Sequence, residues 1–122
     1  MKFELESSDS QYRIQSYRPS VAIIINRIAY SHSVLISSKH LSKWSPATFE
    51  ELTEDYIEQL CQLKVSVVLI GTGEKLQFPK QALLTPLMKA GVGFEIMDTG
   101  AACRTFEVLA SEGRGVAAAL LL

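Results

Sequence analysis

Hydrophobic residues in this chain gather in short blocks, and the most informative blocks lie in the C-terminal third. Val65-Ser66-Val67-Val68-Leu69-Ile70 is an aliphatic run ending in Gly71-Thr72-Gly73, and residues 92–97 form a second run between Gly91 and Asp98-Thr99-Gly100. Length and bounding residues suit buried strands in both cases. From Ala101 the period changes. Ala102, Cys103, Phe106, Leu109 and Ala110 fall on one helical face, with Arg104, Glu107, Val108 and Ser111 opposite. Asp98 or Thr99 is placed to cap the free amides at the helix start, and Gly113 suits a left-handed residue just past its end. The almost purely aliphatic stretch 115–122 then predicts a strand covered on both faces. Strand, helix and strand in succession form a βαβ unit with a right-handed crossover. Between the two runs, Pro79 opens a helix reaching to about Ala90. Pro86 predicts a kink or a restart within it, with Thr85 as cap.

The N-terminal half is patterned more weakly. Residues 1–10 are polar, and Ser7-Ser8-Asp9-Ser10 reads as a loop. Tyr12 and Ile14 alternate with Arg13 and Gln15 as a half-buried strand that Pro19 interrupts, and Val21 to Ile25 is a stronger strand. Asn26-Arg27 turns it back into a return strand over 28–36, with Ile28, Tyr30, His32, Val34 and Ile36 on one face. Residues 37–52 lack a clear period. Trp44 in this stretch either covers the sheet or, with Val108, presents a contact surface. Thr53 caps a helix with Glu54 and Asp55 in its first turn and an apolar stripe of Tyr56, Ile57, Leu60 and Leu63. The predicted fold is α/β: an N-terminal β-meander or hairpin followed by βαβαβ, giving a mixed, largely parallel sheet flanked by helices.

Composition narrows the function classes. With 122 residues, 48% of them hydrophobic, a single domain over 1–122 with a substantial core is expected. A net charge of −1 offers no basic footprint for nucleic acid. No apolar run approaches the ~20 residues of a membrane span, so the chain is not expected to be membrane-embedded. The start is mixed and acidic, unlike a presequence, which makes the cytoplasm the expected location. Cys61 and Cys103 lack CxxC spacing, and two histidines without HxxxH leave a metal site short of ligands.

Candidate chemistry concentrates where the two aliphatic strands end. Parallel strands share one rim at their carboxyl ends, and ligands of open α/β sheets bind there. The rim residues are Gly71, Thr72, Gly73, Thr99 and Gly100, with Arg104 and Thr105 one turn into the helix. A small anion fits the free amides and the guanidinium, while Asp98 places opposing charge at the same end. The competing reading is a tight strand-to-helix turn that needs small, capping residues for structure alone. Gly71-Thr72-Gly73 does not extend to a dinucleotide fingerprint, and no GKS or GKT follows, so no nucleotide cofactor is implied. Cys103 lies in the first helical turn but on the apolar face, where a thiol is inert packing. Glu95 is a carboxylate inside a predicted buried strand; it needs Arg104 or Arg114 as partner, or an edge position. Glu112 and Arg114 flank Gly113 and are placed to tie the helix end to the next strand.

With those residues described, a resemblance emerges. Residues 95–106, Glu95-Ile96-Met97-Asp98-Thr99-Gly100-Ala101-Ala102-Cys103-Arg104-Thr105-Phe106, are followed by Val108-Leu109, by Glu112-Gly113-Arg114 and by an Ala-rich strand. Together they resemble the signature of the Mth938-like family, domain of unknown function 498. Gly71-Thr72-Gly73, Trp44-Ser45-Pro46 and the Ile25-Asn26 turn with Tyr30 fit as well. Glu107 stands where the family often has Asn, and Thr85-Pro86 interrupts a usually smoother helix. The resemblance implies a three-layer α/β domain without an assigned activity. It also implies a likeness to a mitochondrial protein that helps assemble respiratory complex I together with a partner factor. A protein partner is therefore expected, and no catalytic residue is carried over.

Overall fold

A computed structural model describes residues 11–122; the expected loop at 7–10 lies outside them. The strands are β1 (Ile14–Arg18), β2 (Ala22–Ile25), β3 (Ile28–Tyr30), β4 (Val34–Ser37), β5 (His40–Lys43), β6 (Val67–Gly71), β7 (Gly93–Met97) and β8 (Val116–Leu120). The helices are α1 (Glu54–Cys61), α2 (Thr85–Lys89) and α3 (Thr99–Ser111), with short 3-10 turns at Phe49–Glu51 and Gln81–Leu84. Strands β1-β2-β3 make a small antiparallel sheet, and the main sheet runs β5-β4-β8-β6-β7. In the main sheet β6 is parallel to both β7 and β8, while β4 is antiparallel to β8 and β5.

Both faces of the main sheet are covered, and the two-residue period of its strands sorts their side chains between two cores. Val34, Ile36, Leu69, Val116, Ala118 and Leu120 meet Ile14, Ile23 and Ile25 of the small sheet and Ala102, Cys103 and Phe106 of α3. Leu35, Val68, Ile70, Ala119 and Leu121 face the other way, onto Ile57 and Leu60 of α1, Leu84, Leu87 and Trp44. Every residue of β8 is buried, as its unbroken aliphatic sequence predicts.

Several expectations change in detail. The return strand over 28–36 is two strands in different sheets; Ser31-His32-Ser33 carries the chain from one to the other, which leaves Ile28 exposed. The stretch after Ser37 contains β5, an edge strand paired with β4. Trp44 does not present a surface: it is 1% exposed and packs in the core, edge-on to Tyr56. The helix expected from Pro79 is a 3-10 turn followed by the restarted α2. Leu84 rather than Thr85 is its cap, and Pro86 sits in the first turn, where its missing N–H costs nothing. Asn26 and Arg27 do make the two-residue turn between β2 and β3, both with positive φ, and the side chains of neighbouring residues help hold it: Arg13 N donates to Asn26 Oδ1 at 2.8 Å and Arg27 N to Gln15 Oε1 at 2.6 Å.

Candidate functional site

At the carboxyl ends of β6, β7 and β8, Gly71 stands level with both Met97 and Leu120, so the three exits share one rim. Helix α3 starts directly over it. A Cβ on Gly71 would lie 2.9 Å from Thr99 Oγ1 and 3.0 Å from Thr99 Cα, which is why the strand ends in glycine. Thr99 is fully buried. Its hydroxyl donates to Leu121 O at 2.6 Å and accepts from Gly73 N at 2.8 Å, while its own N–H donates to Gly73 O at 2.9 Å. One side chain thus joins the exits of all three parallel strands. Thr72 does similar work on the following loop: its hydroxyl donates to Lys75 O at 2.7 Å and accepts from Gln77 N at 3.1 Å.

The rim residues separate into two depressions. Thr72 and Gly73 line one with Ser20, Phe49, Glu50, Glu74 and Leu121. Gly100 and Arg104 line the other, a groove of about 390 Å³ between β1 and α3 that also takes in Tyr17, Cys103 and Glu107. Thr99 lies between them and Thr105 lines neither. Asp98 is the helix cap, accepting from Ala101 N at 2.8 Å. With the Thr99 and Ala101 amides engaged internally, the groove offers a ligand chiefly the Gly100 face and the exposed Arg104 guanidinium.

Burial raises the Cys103 thiol to about 12, with Arg104 acting in the opposite direction, so it stays protonated at neutral pH and packs as an apolar group. Burial is also the main reason that the Tyr17 phenol is raised; its hydroxyl donates to Leu122 O at 3.0 Å. Glu95 is exposed on β7, the edge strand, where a carboxylate stays hydrated and discourages pairing with another chain. Arg114 lies 4.0 Å from Glu112 in an exposed pair at the end of α3.

Two features escaped the sequence. Glu107 clasps β1 to α3: it accepts from Arg13 Nε at 2.9 Å and from the Ile14 amide at 2.8 Å. Its place on the polar helix face was legible, but the strand laid beside that face was not. The second is the loop after Thr72, where Leu76 is 49% and Phe78 72% exposed. The apolar residues in a stretch without period were the available signal.

This architecture is that of Mth938-like domains. The solution structure of a Bordetella pertussis protein named as a Mth938-like domain is similar with a TM-score of 0.81 at 25% identity, covering 99% of this chain and 92% of that one. The crystal structure of a Bordetella parapertussis protein reaches a TM-score of 0.86 at 31% identity, covering 92% and 96%. The profile of the family described as "Protein of unknown function (DUF498/DUF598)" matches residues 14–121, and the chain belongs to that family. It is also similar to human NADH dehydrogenase (ubiquinone) 1 alpha subcomplex assembly factor 3, with 31% identity over 81 residues. That match covers 65% of this chain but only 44% of the relative, so the chain spans less than half of its length. Among the described residues, no helix is long and apolar enough to cross a membrane.

Proposed function

We propose that this chain is an accessory factor for assembly of a membrane-bound NADH dehydrogenase, acting from the cytoplasm by holding a protein partner. The observation that carries this reading is the kinship with proteins named as assembly factors of that enzyme. The structure supplies a suitable contact. Phe78 and Leu76 stand out on a loop whose backbone Thr72 bonds at Lys75 and Gln77, so two large apolar side chains are presented to solvent. Interface energy concentrates in such anchors. A photo-crosslinking residue in place of Phe78 is expected to give a discrete adduct in native cells, and one in place of Glu112 none. Equal labelling from both positions, or none from 78, removes the loop from the account.

A second reading is favoured by the groove between β1 and α3, which sets the Arg104 guanidinium beside Tyr17 and Gly100. There the chain takes a small carboxylate or phosphate, with only Gly100 and Arg104 of the expected rim residues in reach. A thermal-shift screen with citrate and phosphate is expected to show stabilisation that Arg104→Ala abolishes without altering the unliganded melt. No shift at millimolar anion defeats it.

A further inference from the structure

Beside the Phe78 loop lies an apolar groove that the two readings above leave unassigned. Its volume is about 390 Å³, and its lining includes Phe49, Pro79 and Leu83 with Glu50, Gln77 and Lys80. Phe49 and Leu83 are partly buried: each packs against the core on the α1 side of the main sheet and stays partly open to solvent. Phe49, Glu50 and Gln77 also line the smaller depression that holds Thr72, Gly73 and Glu74, so the two adjoin. Phe78, the most exposed large hydrophobic side chain of the described residues, stands in the chain between Gln77 and Pro79 of the groove wall. Loop and groove therefore offer one apolar surface, more than a single exposed residue amounts to.

Charge selects what fits it. From Trp44 to Leu63 the chain carries five carboxylates, Glu50, Glu51, Glu54, Asp55 and Glu58, and no Lys, Arg or His, although the whole has a net charge of only −1. All five are exposed. Glu50 lines both depressions, and the other four follow through the 3-10 turn and the first half of α1, which packs on the turn that carries Leu83. Glu74 adds a carboxylate at the far end, and Lys80 is the one cation of the two linings among the described residues. An excess of one sign around an apolar cleft attracts the opposite charge and repels its own, so this face disfavours an anionic lipid surface.

Resting on the reading that the chain holds a protein partner, we propose that this groove takes a basic amphipathic segment of that partner. Its apolar side chains lie against Phe49, Leu83 and Phe78, and its Lys or Arg residues reach toward Glu50, Glu74 and the start of α1. Lys and Arg are in excess on the cytoplasmic flanks of membrane spans, so such a segment of a membrane subunit suits the groove.

A photo-crosslinking residue is placed at Gln77 in the full chain, alongside the one at Phe78, and each adduct from native cells is mapped by mass spectrometry. Both positions are expected to mark the same segment of another protein, and that segment to carry net positive charge. Made as a free peptide, the marked segment is then titrated onto the purified chain by fluorescence anisotropy. Its Kd is expected to rise about tenfold in a Glu50→Lys, Glu74→Lys variant and to rise again at high salt. The matched change Glu95→Lys, Glu112→Lys alters net charge equally elsewhere on the surface and is expected to leave Kd within about twofold. An adduct from 78 without one from 77, or a mapped segment that is acidic, uncharged, a lipid or a second copy of this chain, overturns the inference. So does an unaltered Kd in the Glu50→Lys, Glu74→Lys variant. A discrete protein adduct from 78 leaves the partner reading in place in each of these cases, whereas no adduct from either position removes both.

Discussion

Thr99→Val is expected to lower the unfolding free energy by about 2–4 kcal/mol, read as an earlier urea midpoint at unchanged slope. Valine keeps the branched shape but cannot bond. The Gly73 N–H and the Leu121 carbonyl, now 2.8 and 2.6 Å from the hydroxyl, both lose that partner, the carbonyl at a site closed to water. Each orphaned group costs about 1–3 kcal/mol, and the small change in apolar transfer does not offset two of them. Thr99→Ser is expected to recover most of the loss, because the hydroxyl returns and only a methyl is removed. A Thr99→Val protein as stable as the parent means that the rim is not joined through this side chain.

Phe106→Ala is expected to cost more, about 3–5 kcal/mol, through the cavity it leaves. Phe106 is completely buried in the core shared by α3, the small sheet and β8. Its neighbours Ala102 and Ala118 are too short to fill the space. Loss of the ring loosens α3 against the main sheet and hence the clasp that Glu107 makes with β1. Chemical denaturation checks the magnitude. A cost below about 1 kcal/mol, the range of ordinary surface changes, contradicts this placement of the helix.

How much of this was legible depended on whether the signal was local. The β7–α3–β8 unit reads directly, because the apolar period changes at Asp98 and again after Gly113, and each boundary carries a residue suited to it. Asp98 caps α3 through Ala101, and Gly113 adopts φ +76°. The division of the N-terminal half into two sheets does not read, since Ile28, Tyr30, His32, Val34 and Ile36 keep strict alternation straight through the crossing. Alternation reports which residues share a face, but not where a chain leaves one sheet for another. Likewise β8 enters between β4 and β6, a pairing of distant segments that leaves no mark in either one.

The candidate site divides along the same line. That Gly71, Gly73 and Thr99 belong to one rim followed from parallel strands with adjacent exits. That Thr99 uses its hydroxyl to bind those exits together follows only from the close approach of α3 to Gly71. The position of Arg104 one turn into α3 was readable, whereas the groove beside it exists because β1 lies along the helix.

The most direct measurement is native gel electrophoresis of membranes from cells lacking this chain, with in-gel detection of NADH dehydrogenase. Assembled enzyme is expected to fall and smaller subassemblies to accumulate. The parent chain should restore assembly, and a Leu76→Ser, Phe78→Ser double variant of parental stability should not. Undiminished assembly in the absence of the chain would contradict the proposed role.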